Sequence, residues 1–175
     1  MVVHLARSLA EQMMAEAERA APEEICGVLL GKRDIITAVV PIPNIAASRA
    51  RAFVLEPAAL IQAFARAEAA EQEVIGFYHS HPKHGAQPSP TDIREWHYPD
   101  LLMIIVGAAS RKVAAWQVRG VEATPVELVF SDTPAAPEIP LSNAGKIAII
   151  VSVVLAILAV LVVSLTLLPP APPIP

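Results

Sequence analysis

The chain of 175 residues reads as an α/β protein, a mixed β-sheet with flanking helices followed by one C-terminal transmembrane helix. Three observations lead to that class. Short apolar runs bounded by turn residues recur along the first 130 positions, as in strands. Two longer segments among them place apolar residues at helical spacing. Residues 147–168 are 22 consecutive positions without a charge.

Taken in order, Leu5, Leu9, Met13 and Ala17 recur every four residues with Arg7, Glu11, Glu16 and Glu18 on other faces, which predicts an amphipathic helix ended by Pro22. Residues 25–30 and 35–40 are apolar runs joined by Gly31-Lys-Arg-Asp34, and predict a hairpin. Residues 58–71 predict a second helix with Leu60, Ile61, Phe64 and Ala67 as its buried stripe. Residues 74–78, 101–106, 113–118 and 126–130 predict further strands, so strands outnumber helices and several connections have hairpin length. No internal repeat is visible.

The domain organisation follows from shifts in composition. Residues 1–130 are long enough to bury a core of their own and are nearly balanced, with 12 basic and 15 acidic side chains. Residues 131–145 hold three prolines among small polar residues and predict an extended linker. Residues 146–168 predict the transmembrane helix: its uncharged part spans roughly 30 Å at about 1.5 Å per residue. A soluble helix of that length keeps a polar face, whereas only Ser152, Ser164 and Thr166 interrupt this one. Residues 169–175 are a short Pro-rich tail. The N-terminus has neither an apolar h-region nor a small-residue cleavage site, so no secretory signal is expected. Lys146 at the near boundary of the span, with no basic residue beyond it, places the domain on the cytoplasmic side of a single-pass C-terminal anchor.

Charge and cysteine usage narrow the chemistry. A formal net charge of −4, from 13 basic and 17 acidic residues, argues against a nucleic-acid binder. A hydrophobic content of 54% is too high for a disordered chain. The single cysteine excludes an internal disulfide and every multi-cysteine zinc site, so a metal must be held by histidine and carboxylate. Cys26 itself reads as a small buried strand residue rather than a nucleophile.

The informative stretch is Gly76-Phe-Tyr-His-Ser-His-Pro-Lys-His-Gly-Ala-Gln-Pro-Ser-Pro-Thr-Asp92. If the strand beginning at Val74 continues through His81, then His79 and His81 project from one face, the geometry for two imidazoles on one metal. Asp92 would add an oxygen ligand and leave a fourth position open, as in a catalytic zinc site. The same segment is also a sound helix start, with Ser89 as N-cap, Pro90 at the first helical position and Asp92 as the acid of a capping box. The residues alone leave the two readings open. His84 in the intervening loop, His97 and His4 read as solvated or packed histidines, and Trp96 and Trp116 as packing residues.

These residues resemble the JAMM (JAB/MPN) zinc metallopeptidases, whose signature is an upstream glutamate, then His-Ser/Thr-His-Pro, seven residues and Ser-x-x-Asp. Here His79-Ser80-His81-Pro82 leads to Ser89 and Asp92 with seven residues between His81 and Ser89. Glu24-Ile-Cys-Gly-Val-Leu-Leu-Gly31 is similar to the family's first strand, and Pro43-Asn44, Phe53 and Leu55-Glu-Pro57 to its second strand, the following loop and the second helix start. The similarity covers residues 2–130. It implies an MPN (JAB-like) fold, His79, His81 and Asp92 as ligands of Zn2+, Glu24 as the general base, and Ser89 as a donor to the oxyanion. It implies hydrolysis of a peptide or isopeptide bond at the C-terminus of a ubiquitin-like or small sulfur-carrier protein, whose tail commonly ends in Gly-Gly. The absence of a long insertion between Asp92 and Leu101 favours the compact, prokaryote-like form. Residues 41–56 would border a groove for the substrate tail, paired by strand addition. The alternative is a non-catalytic, membrane-anchored scaffold or recruitment module of the same fold. Oligomeric state is not legible.

Overall fold

The computed structural model describes residues 1–131 together with Ser152, Leu155 and Ile157. By contact the chain divides into two units, Met1–Pro137 and Glu138–Pro175. The linker, transmembrane helix and tail expected at 131–145, 146–168 and 169–175 lie outside the described residues apart from Ser131 and those three helical positions. Among the described residues no helix is long and apolar enough to cross a membrane.

The first unit is a mixed sheet that closes into a barrel in the order β1-β3-β2-β4-β5-β6-β7. Its strands are β1 (Val2–Ala6), β2 (Cys26–Lys32), β3 (Ile35–Ile42), β4 (Glu73–His81), β5 (Leu102–Gly107), β6 (Lys112–Arg119) and β7 (Glu122–Ser131). The helices are α1 (Arg7–Ala20), α2 (Pro57–Ala69) and the short α3 (Pro90–Glu95). The expected β2–β3 hairpin forms, with Cys26 opposite Ile42 and Lys32 opposite Ile35.

Two expectations need correction. Leu5 is not helical: it belongs to β1, which runs parallel to β7 from Val2↔Glu127 to Ala6↔Ser131 and closes the barrel. Helix α1 begins only at Arg7 and buries Ala10, Met13, Met14 and Ala17. On α2 the buried residues are Ala63 and Ala67, while Ile61 and Phe64 are 67% and 41% exposed. Small side chains let the helix axis approach the sheet, and the core there is filled from the strand side by Val28, Leu30 and Phe77. Removing each such large side chain from water contributes about 1.5–3 kcal/mol.

Strand β4 sits between β2 and β5 and carries the site. Its alternation sends Tyr78 toward α1, among Leu5, Met13 and Ile104. Phe77 faces α2, and His79 and His81 follow it on the same side. In the parallel register with β5, His79 lies opposite Ile105 and His81 opposite Gly107.

Candidate metal centre

The last residues of β4 bring the Nε2 atoms of His79 and His81 within 3.1 Å of each other. Asp92 arrives from α3, with Oδ1 3.5 Å from His79 Nε2 and Oδ2 3.2 Å from His81 Nε2. One donor atom from each residue lies within 4.8 Å of the others. His79 is 1% exposed and His81 6%.

The capping box aims the carboxylate. The Asp92 N–H donates to Ser89 Oγ at 3.1 Å, and the Ser89 N–H donates to Asp92 Oδ2 at 2.6 Å. Helix cap and cation ligand are therefore not competing descriptions of Asp92: the cap holds the side chain on the side where the imidazoles converge. Ser89 Oγ accepts from Asp92 and retains its own O–H to donate elsewhere.

The loop between β4 and α3 orients His81. Its Nδ1 lies 3.1 Å from the Gly85 carbonyl, which as an acceptor selects the Nδ1–H tautomer and turns the Nε2 lone pair toward His79 and Asp92. The loop is pinned in turn by Trp116, whose Nε1–H donates to the Ala86 carbonyl at 2.8 Å. Gly107 allows this approach, because a Cβ there would stand 2.8 Å from Ala86 N and 2.9 Å from the Gly85 carbonyl carbon. Trp116 thus packs, as expected, and also holds the loop. Trp96 lies edge-on to Phe77, with ring centroids 6.0 Å apart.

Electrostatics follow from burial and these contacts. Burial pushes the His79 imidazole pKa down, against the opposing pull of Asp92. At His81 burial acts in the same direction, but the bonds to Asp92 and the Gly85 carbonyl outweigh it and the net shift is upward. Burial would raise Asp92, yet the two histidines and the Ser89 N–H hold it well below the usual carboxylate range. Two imidazole nitrogens and one ionised carboxylate converging on a point, with the histidine tautomer fixed from behind, form a donor set that fits a small divalent cation.

Glu24 lies just before β2 and lines a cleft of about 670 Å³ together with His81, Ser89 and Asp92. Burial, partly offset by His81 and reinforced by Asp92, pushes its pKa up from 4.5 to about 7. Neighbouring Glu23 is exposed and pairs with Arg49 at 3.4 Å, so the two adjacent glutamates are distinguished. Cys26 is buried, its Sγ lies 3.5 Å from the Ile42 carbonyl, and burial and Glu24 push its thiol up to about 12, so no thiolate nucleophile is available there. His84 also lines the cleft; His97 is exposed and His4 lies in β1.

Three supporting residues were not singled out by sequence reasoning as parts of the site. Phe53 stacks on His79, with ring centroids 4.4 Å apart and planes at 20°. Ser80 Oγ accepts the Ile25 N–H at 3.0 Å, tying the segment after Glu24 to the histidine strand. Asn44 uses all four hydrogen-bonding positions of its amide: Nδ2 donates to the Glu24 and Ala52 carbonyls at 2.9 and 3.1 Å, and Oδ1 accepts from Ala46 and Val54 N–H, both at 3.0 Å. The Pro-Asn pair and the Phe lie in the stretch that carries the family resemblance, which was the available signal for two of them.

Comparison with known proteins agrees with this geometry. Residues 6–119 match the family described as prokaryotic homologs of the JAB domain, and the chain belongs to that family. It is 38% identical over 101 residues to a probable TtuB-protein conjugate cleaving protease of Thermus thermophilus, covering 57% of this chain and 68% of that protein. It is 33% identical to the desampylase of Haloferax volcanii, covering 63% of this chain and 84% of the relative. The CysO-cysteine peptidase of Mycobacterium tuberculosis is 31% identical over 60% of this chain and 73% of its own. Among solved structures, protein DSY2949 of Desulfitobacterium hafniense superposes with a TM-score of 0.69 at 26% identity, covering 77% of this chain and 96% of that one.

Proposed function

We propose that the protein is a JAMM-type zinc metallopeptidase, a hydrolase that cleaves a peptide or isopeptide bond at the C-terminus of a ubiquitin-like or sulfur-carrier protein. The observation that carries this reading is the convergence of His79, His81 and Asp92, the last two lining the cleft that also holds Glu24 and Ser89. The names of the relatives, a conjugate-cleaving protease, a desampylase and a CysO-cysteine peptidase, support the substrate class.

His79, His81 and Asp92 would hold the metal, and zinc bound there would supply a Lewis acid that makes water more acidic and polarises a carbonyl. Glu24 lines the cleft without belonging to the ligand cluster, as a general base requires; from there its carboxylate takes a proton from water and returns it to the leaving amine. The Ser89 O–H donates to the carbonyl oxygen as charge develops on it. Phe53 covers one face of His79 and limits water at that side of the site.

Metal content and turnover of the purified full-length protein test these roles. Wild type is expected to hold about one zinc per chain; Asp92→Ala should lose zinc and activity together, and Glu24→Gln should keep zinc and lose turnover. Retained zinc in the first variant or retained turnover in the second refutes the roles, and a wild type that takes up no zinc favours the non-catalytic scaffold.

Residues 131–145 are read as the linker, 146–168 as a single-pass C-terminal anchor with the catalytic domain facing the cytoplasm, and 169–175 as a short tail. The uncharged run supports this, as do Leu155 and Ile157, which are helical and 60% and 56% exposed, an apolar surface that a bilayer would cover. Removing residues 146–175 should release the protein from membranes and leave domain 1–130 folded; a fragment that still sediments with membranes overturns the anchor.

A further inference from the structure

Behind the loop that orients His81 lies a second cavity, of about 560 Å³. Strand pairing explains why it exists. β6 and β7 pair from Arg119↔Glu122 to Ala115↔Val126 and then part, β6 continuing along β5 to Lys112 and β7 along β1 to Ser131. Residues 112–114 and Phe130 line the cavity where the strands part, with α1 on one side and residues 85–87 on the other. Three of the positions that could fill it carry only a methyl group, Ala10, Ala86 and Ala114, and Met14, Trp116 and Phe130 complete its apolar walls. An apolar pocket of this volume is the size of a small-ligand site.

The mouth of the cavity indicates the sign of its ligand. Arg7, Arg111 and Lys112 line it against one carboxylate, Glu11. Arg111 is ion-paired with Glu18, and the Arg7 guanidinium lies 6.0 Å from the centroid of the Phe130 ring, whereas the Lys112 side chain has no ion-pair or hydrogen-bond partner among the described residues. With the Arg111–Glu18 pair counted as neutral, two cations face one carboxylate. These charges are exposed and screened by water, so they select the head group of a ligand while the apolar walls supply most of its affinity.

This cavity and the metal cleft share a wall, since Gly85 and Gln87 line both. Between them the Ala86 carbonyl accepts from Trp116 Nε1–H at 2.8 Å, and the Gly85 carbonyl lies 3.1 Å from His81 Nδ1. A molecule lying against Trp116 and Ala86 therefore bears on the backbone that orients His81. We propose that the cavity binds a small amphipathic acid, its apolar body between Met14, Trp116 and Phe130 and its carboxylate beside Lys112 at the mouth, and that its occupancy changes the affinity of His79, His81 and Asp92 for zinc. The binding site is independent of the hydrolase reading above, and the coupling rests only on the metal ligands.

Calorimetry on the full-length protein, metal-free and zinc-loaded, tests this with 2-naphthoate as the probe and 2-naphthamide as its uncharged counterpart. One naphthoate should bind per chain, about threefold more tightly than naphthamide at low salt, which is the scale of an exposed ion pair. That preference should vanish at high salt and in Lys112→Gln. Ala114→Phe, which fills the cavity from β6, should weaken both probes by about tenfold or more, and Phe130→Ala, which removes a wall at the exposed end, by about threefold or more. Naphthoate affinity should differ by about threefold or more between the metal-free and zinc-loaded forms, and by linkage saturating naphthoate must shift zinc affinity by the same factor. Failure of both probes to bind, or binding unchanged by both cavity variants, overturns the site. Equal binding of the two probes at low salt overturns the choice of an acid, and equal naphthoate affinity with and without zinc overturns the coupling. A protein that takes up no zinc overturns the hydrolase reading and the coupling together, while the metal-free titrations still decide the site.

Discussion

Asn44 is the residue whose replacement most directly tests how the site is held together. Its side chain touches no metal-binding atom, yet it donates to the carbonyl of Glu24 and organises the loop that lays Phe53 on His79. Asn44→Ala removes four bonds of 2.9–3.1 Å. A typical bond has a net value of about 0.5–1.5 kcal/mol, and since water reaches part of this loop the lower half of that range applies, giving about 2–4 kcal/mol in all. For a domain of this size that lowers the melting temperature by roughly 10 °C. A misplacement of about 1 Å at a reacting group costs about a hundredfold in rate, so kcat should fall by about 10- to 100-fold. Zinc content should not change, because β4 and α3 take no bond from the Asn44 side chain. Asn44→Asp keeps an acceptor for Ala46 and Val54 but sets a carboxylate against two carbonyls, and should be at least as damaging. Urea unfolding, metal analysis and turnover on the same preparations decide the matter. A stability loss below about 0.5 kcal/mol, or zinc lost in step with activity, would refute the reasoning.

The metal-free protein should show the raised pKa of Glu24 as a carboxyl carbon titration by NMR with a midpoint near 7, and zinc should move it down, because a nearby cation favours the ionised form. Between pH 4.5 and about 7 the folded state then binds more protons at Glu24 than the unfolded state, so this group makes the metal-free domain less stable as pH rises through that window; a midpoint at or below 4.5 refutes the burial argument. Gly107→Ala should weaken zinc binding by about tenfold, since the new Cβ displaces the Gly85–Ala86 backbone that orients His81. Unchanged zinc affinity in a folded Gly107→Ala protein would show that the loop does not orient the ligand.

Legibility tracked the range of the interaction. His79 and His81 were legible because strand alternation is a local rule, and β4 extends through His81 as that rule requires. β1 was not, because Leu5 falls on the four-residue repeat of Leu9, Met13 and Ala17, while the partners that make it a strand lie more than a hundred residues away in β7. The α2 stripe was misassigned at Ile61 and Phe64 because hydrophobic spacing finds an apolar face but not how closely a helix packs, which here is set by Ala63 and Ala67. Asn44 was illegible as a hub since each of its four partners is a backbone group, which leaves no trace in residue identity.

Asp92 is different, because its two local readings are compatible: the cap is formed with the carboxylate beside the two imidazoles, so the energies of capping and of metal binding can be separated. In the metal-free protein Asp92→Asn keeps an acceptor for the Ser89 N–H and so keeps the start of α3, while its amide nitrogen can donate to an imidazole; Asp92→Ala removes the acceptor and reopens the helix end. The difference in unfolding free energy between the two variants should be about 1 kcal/mol, the usual contribution of a cap. Both variants should lose zinc, since a neutral amide is a poor substitute for the carboxylate in the ligand set. Equal stabilities would mean that the cap does not aim the carboxylate. Zinc retained by Asp92→Asn would mean that the histidines alone hold the metal and that the resemblance of this segment to a helix start is its whole role.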